Sequence, residues 1–119
     1  MAGSLTISTL KNDTGVLAVQ NGMTGIAKAW VNFTGAGGAT INTSFNVSSV
    51  TYVGTGQYTV NLTTAMPSAN YSVVAACNIL AAGVGARPSN IAVGSFTLIT
   101  VNASAQADGN PVCAAVFSS

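Results

Sequence analysis

Charge is what this chain has least of. Lys11, Lys28, Arg87, Asp13 and Asp108 are its only ionised side chains at neutral pH, 4% of 119 residues, where a typical domain has about a quarter. Histidine and glutamate are missing altogether. Three scattered cations neutralise too few phosphates to hold DNA or RNA, so no nucleic-acid partner is expected. Without histidine there is no hydrolase triad, and a zinc ion would find only Cys77, Cys113 and the two aspartates. Acid–base catalysis by paired carboxylates would need Asp13 and Asp108 in one cleft, and both sit in turn contexts that favour aspartate locally. Serine and threonine are plentiful but have no general base beside them. The chain therefore reads as non-enzymatic, with no catalytic residue, cofactor or metal.

Long apolar runs are absent too. The most apolar region, 71–86, is broken by Asn78, Gly83 and Gly85 and falls short of the roughly 20 residues a membrane helix needs. The start, MAGSLTISTLKND, has neither the basic residues nor the apolar core of a secretory signal. The expectation is synthesis in a cytoplasm without export or membrane insertion, which makes the Asn-X-Ser/Thr triplets a by-product of composition. Cys77 and Cys113 fit one disulfide or, more simply, two reduced core thiols. With 49% hydrophobic residues and a net charge of +1, the protein has little electrostatic protection against self-association. Much of its surface should be covered by copies or partners.

What the chain has in quantity is period-two alternation punctuated by Gly, Pro and Asn. Residues 4–10 alternate as a first strand or extended arm, 11–15 turn, and 16–23 are ambiguous. From 25 to 33, Ala27, Ala29, Val31 and Phe33 share one face and Ile26, Lys28, Trp30 and Asn32 the other, which reads as a partly buried contact surface or groove. The glycine-rich 34–40 stretch lacks a phosphate-loop pattern. Residues 41–53 read as one strand with a bulge near Ser48–Ser49 that keeps Ile41, Phe45, Val47 and Tyr52 on one side. Gly54–Gly56 turns the chain into a strand with Tyr58, Val60 and Leu62 inward. Residues 65–70 form a turn around Pro67, and 71–77 a strand covered on both faces. Residues 81–90, with Arg87 and Pro88, read as a loop. Residues 93–103 alternate, Asp108–Gly109 marks a turn, and 111–117 form the last strand. Seven or so short strands without a helix predict an all-β, antiparallel β-sandwich or jelly-roll-like domain over 25–119, with 1–24 as an N-terminal attachment arm.

The segments AKAWVNFTGAG, INTSFNVSSVT and GTGQYTVNLTTAMPSANYSVV, spanning about 27–76, resemble a domain family of bacteriophage virion proteins: tail-fibre or receptor-binding domains and small particle-surface proteins. Trp30–Phe33, Ser44–Ser49, Gly56–Val60, Ala65–Pro67 and Asn70–Tyr71 carry the resemblance. It implies a non-enzymatic, homotrimeric β-knob on a phage virion. Because the domain begins within about thirty residues of Met1, a capsid decoration or cement protein is the expected form. Its partners would be copies of itself and the major capsid protein, with the 4–10 segment as a clasp. The alternative is a short tail-fibre protein, joined to tail proteins, that recognises host surface glycans through loops 34–40 and 81–90. Interface residues are expected at Leu5, Ile7, Trp30, Phe33 and Phe117, and ligand contacts at Trp30 and Arg87. Trp30, Tyr52, Tyr58 and Tyr71 could also stack on sugar rings, although packing uses the same residues.

Overall fold

The structure, a computed structural model, describes residues 26–118. Expectations for the arm, including Leu5, Ile7 and Asp13, fall outside the described residues. Eight strands form: β1 (Ala29–Thr34), β2 (Thr40–Phe45), β3 (Val47–Gly54), β4 (Gln57–Leu62), β5 (Ser72–Cys77), β6 (Gly85–Ala92), β7 (Ser95–Val101) and β8 (Val112–Phe117). They make two antiparallel four-stranded sheets, β2-β1-β8-β5 and β3-β4-β7-β6. This is an all-β sandwich, and no helix occurs among the described residues.

The four central strands fill the interior. Ala29, Val31 and Phe33 from β1 and Val112, Ala114 and Val116 from β8 meet Tyr58, Val60 and Leu62 from β4 and Phe96 and Leu98 from β7, all buried. Alternation alone selects these residues, since every second side chain of a strand points to the same face. Phe33 and Tyr58 stack edge to face with ring centroids 5.0 Å apart, the arrangement that ring quadrupoles favour. Met66 and Tyr71 close one end of the core. The Tyr71 hydroxyl donates toward the carbonyls of Ala92 (2.7 Å) and Ser95 (3.0 Å), so its polar tip is satisfied while its ring is buried.

Residues 41–53 depart from the single bulged strand expected there. The register of β1 with β2 shifts between Asn32 and Phe33, where Asn32 pairs with Thr43 but Phe33 pairs with Ile41. Asn42 is the extra residue of a bulge. Ile41 can therefore face the core while Thr43 and Phe45, also odd-numbered, face outward, leaving Phe45 54% exposed. At Asn46 the chain leaves the first sheet for the second, with φ at +57°, a left-handed conformation that asparagine tolerates better than most residues. Its amide holds the crossing in place. Nδ2 donates to the carbonyls of Lys28 and Thr64, both at 3.1 Å, and Oδ1 accepts from the Thr64 N–H at 2.7 Å. A register shift between Val47 and Ser49 agrees with the expected bulge near Ser48–Ser49.

Residues 81–90 also differ from the loop expected of them, because β6 begins at Gly85 and pairs with β7. Pro88 lies within that strand, opposite Leu98. β6 is a sheet edge, where a missing backbone donor is tolerated.

Candidate interaction surface

The two outer faces of the sandwich are chemically unlike. On the first sheet, pairing sets Phe45, Trp30, Ala115 and Val74 side by side across four strands, and Thr43, Asn32, Cys113 and Ala76 in the next row. Phe117 continues the face beside Ser72. Trp30 is 39% exposed and Val74 62%. Small Ala115, Ala76 and Cys113 lie between these larger side chains, leaving an open hollow of about 440 Å³ with no Asp, Lys or Arg in its lining. Asn32 and Cys113 in this hollow already have partners. Asn32 Nδ2 donates to the Cys113 sulfur at 3.3 Å, and Asn32 Oδ1 accepts from Asn42 Nδ2 at 2.9 Å. Taking water away from Asn32 and Cys113 would leave neither of these bonds broken, which keeps the desolvation penalty small.

The outer face of the second sheet is more polar and carries one charged side chain, Arg87. Asn61 Nδ2 donates to the hydroxyls of Ser49 (3.0 Å) and Thr51 (3.2 Å), and Gln57 Nε2 donates to Gln106 Oε1 at 2.8 Å. Arg87 is on this face, paired with Ile99 and exposed. A face so occupied by its own hydroxyl–amide bonds remains compatible with water.

Against these geometries the expected site residues divide. Trp30 and Phe117 lie on the same outer face, with Phe117 two residues beyond Trp30's partner Ala115. Phe33 is corrected: it is fully buried between the sheets and has no surface to offer a second subunit. Trp30 and Arg87, the expected ligand contacts, project from opposite sides of the sandwich and do not share one site. Sugar stacking is likewise denied to Tyr58 and Tyr71, which are buried, and the Tyr52 hydroxyl is held by Asp108. The strand at 71–77 is covered on its inner face only, since Ser72, Val74 and Ala76 are exposed.

Both cysteines are free thiols. Cys77 packs against the core as expected, whereas Cys113, also expected in the core, points outward. Adjacent strands place them on different faces of one sheet, so no bridge can join them. Burial pushes the Cys77 thiol above its ordinary pKa.

Asp108 shows why a turn aspartate need not be catalytic. Its carboxylate accepts from the Gly56 N–H (2.8 Å) and from the hydroxyls of Tyr58 (3.0 Å) and Tyr52 (3.0 Å), which ties the β7–β8 connection to the β3–β4 hairpin. Among the described residues no group of three or more His, Cys, Asp or Glu could hold a metal ion. The surface residues that sequence reasoning missed are Phe45, Val74 and Cys113. Only the alternation of β5 and β8 could have revealed the last two, once their pairing was known. The class this fold and surface define is an antiparallel β-sandwich with an apolar, uncharged hollow on one outer sheet face. No protein-family model, curated protein or solved structure matches the chain.

Proposed function

We propose that the chain is a non-enzymatic structural protein of a bacteriophage virion: a homotrimeric knob on the particle surface that decorates the capsid and stabilises its shell by bridging subunits of the major capsid protein. The phage assignment rests on the sequence resemblance. The observation that carries the binding role is the contrast between the two outer faces, one with an apolar hollow whose lining lacks charge, the other with Arg87 and hydroxyl–amide bonds of its own. Apolar area removed from water contributes about 25 cal/mol per Å² before association entropy is deducted. Repetition of such a contact over a closed shell turns modest affinities into firm retention.

Decoration is favoured over glycan recognition by the positions of Trp30 and Arg87. A sugar site needs an aromatic platform and convergent polar groups, and these two residues face away from each other. Imaging intact particles of the phage that encodes the chain tests the proposal. Density for the sandwich on the outer shell, bridging capsid subunits, is the expected result. Density at the tail, or absence of the protein from the particle, would overturn it.

A further inference from the structure

Each sheet of the sandwich ends in two margins, β2 and β5 in the first and β3 and β6 in the second. Three of them are interrupted. β2 carries the Asn42 bulge, β3 shifts register twice, and β6 contains Arg87, Pro88 and the shift before Ala92. Bulges, charges and prolines are the devices that keep a strand edge from pairing with another chain. β5 has none of them. Ser72–Cys77 pairs with β8 at every position without a shift and contains no charge, glycine or proline.

The β5 margin is also unfinished. The Asn78 N–H donates to the Pro111 carbonyl at 3.0 Å. By the two-residue period of the ladder, Ser72, Val74 and Ala76 then direct their backbone groups to β8, and Val73, Ala75 and Cys77 direct theirs away from the sheet. None of these outward groups bonds to the backbone of another described residue. The side chains of the same three residues turn toward the core yet stay only half-buried, whereas the inward residues of β1, β4, β7 and β8 are buried.

We infer that the β5 edges of two copies pair antiparallel about a twofold axis, with Ala75 opposite Ala75 and Val73 opposite Cys77 of the other copy, joining two four-stranded sheets into one. The contact goes beyond the decoration reading: it joins two copies only, so it is distinct from the threefold contact of a knob and links one knob sideways to the next. The strand itself chooses a second copy as its occupant. A twofold antiparallel pair sets each outward N–H against an outward carbonyl of the identical strand, so a copy always offers matching groups. Among the margins of the described sandwich β5 alone is intact over its whole length, so only β5 meets β5 without a break. One strand pair buries less than the roughly 800 Å² per partner of a standard interface, which makes this a weak lateral contact that gains from repetition over a surface.

The test uses two variants of the full chain, Val74→Cys and Ala76→Cys, each with Cys113→Ser because Cys113 lies beside Ala76. In the proposed register Val74 of one copy faces Ala76 of the other on the exposed side of the joined sheet. Mild oxidation of the mixture should link one variant to the other about tenfold faster than either links to itself, since only the mixed pair brings the two thiols within disulfide reach. On the wild-type chain, amide exchange at Val73, Ala75 and Cys77 should slow about tenfold as the concentration rises from about 10 μM to about 1 mM, while Val74 and Ala76, already bonded to β8, stay unchanged. Mixed linkage no faster than self-linkage, or exchange at the three residues equally fast or equally slow at every concentration, would rule out the pairing and leave the decoration reading to the particle images.

Discussion

The Tyr58 hydroxyl donates a hydrogen bond to Asp108 Oδ1 at 3.0 Å, joining residues 50 positions apart. Gly56 and Tyr52 donate to the same carboxylate, and the Gly109 N–H donates back to the Tyr58 oxygen at 3.4 Å. Asp108→Ala would leave the Gly56 N–H and the Tyr58 hydroxyl without their acceptor. A loss of about 2–3 kcal/mol in stability is expected from urea denaturation, with Asp108→Asn losing less because one oxygen remains.

The same hydroxyl sets an alkaline limit. Burial first, and the hydrogen bond to Asp108 second, push Tyr58 up to about 12 from the ordinary 10.0. Between these values the unfolded chain releases the tyrosine proton while the folded chain keeps it, so the native state binds more protons and stability falls as pH rises. Stability should be level below pH 10 and decline toward pH 12. Tyr58→Phe should reduce that slope, leaving the part due to Tyr71, which burial also pushes up, as measured by denaturation at stepped pH with tyrosinate absorbance followed in parallel.

Much of this architecture is legible in the sequence, and its limits have physical causes. Alternation identifies the inward residues of β1, β4, β7 and β8 because those strands have one face on the core and the other on the outside. It fails at Phe45 because the additional residue in β2, Asn42, is fixed by pairing with β1, which no local pattern records. It fails at β6 because Pro88 is a breaker in a central strand but not at an edge. Phe33 was assigned to an interface although its own alternation put it beside Val31, and the burial of both follows the alternation. The outward surface was half legible: Trp30 and Phe117 stand out by type, while Val74 and Cys113 matter only through their neighbours.

Several residues of the phage-family resemblance turn out to be builders of the fold. Asn46 is the clearest case. Asn46→Ala should lose about 2–4 kcal/mol, through three lost hydrogen bonds and the strain of φ at +57°. Asn46→Gly should recover the strain but not the bonds and fall between the two. Thermal melts of the three proteins would rank them; equal melting of Asn46→Ala and wild type would contradict the assignment.

The placement of the thiols gives a simple chemical prediction. Air oxidation of dilute protein should produce no disulfide within one chain, since Cys77 and Cys113 face opposite sides of their sheet. Intact mass after alkylation under native conditions should show Cys113 modified first in any uncovered copy. Cys77 should lag, its thiol both packed against the core and held above its ordinary pKa by burial.

The β6 margin has a further consequence. Its row of backbone groups is interrupted by Pro88 and again by the register shift before Ala92, where Asn90 takes a positive φ of 46°. A border broken twice in eight residues makes a poor template for strand-by-strand accretion. Growth by that route is discouraged at this side of the molecule, and copies that meet through side chains elsewhere can stop at a counted number instead of lengthening into a filament.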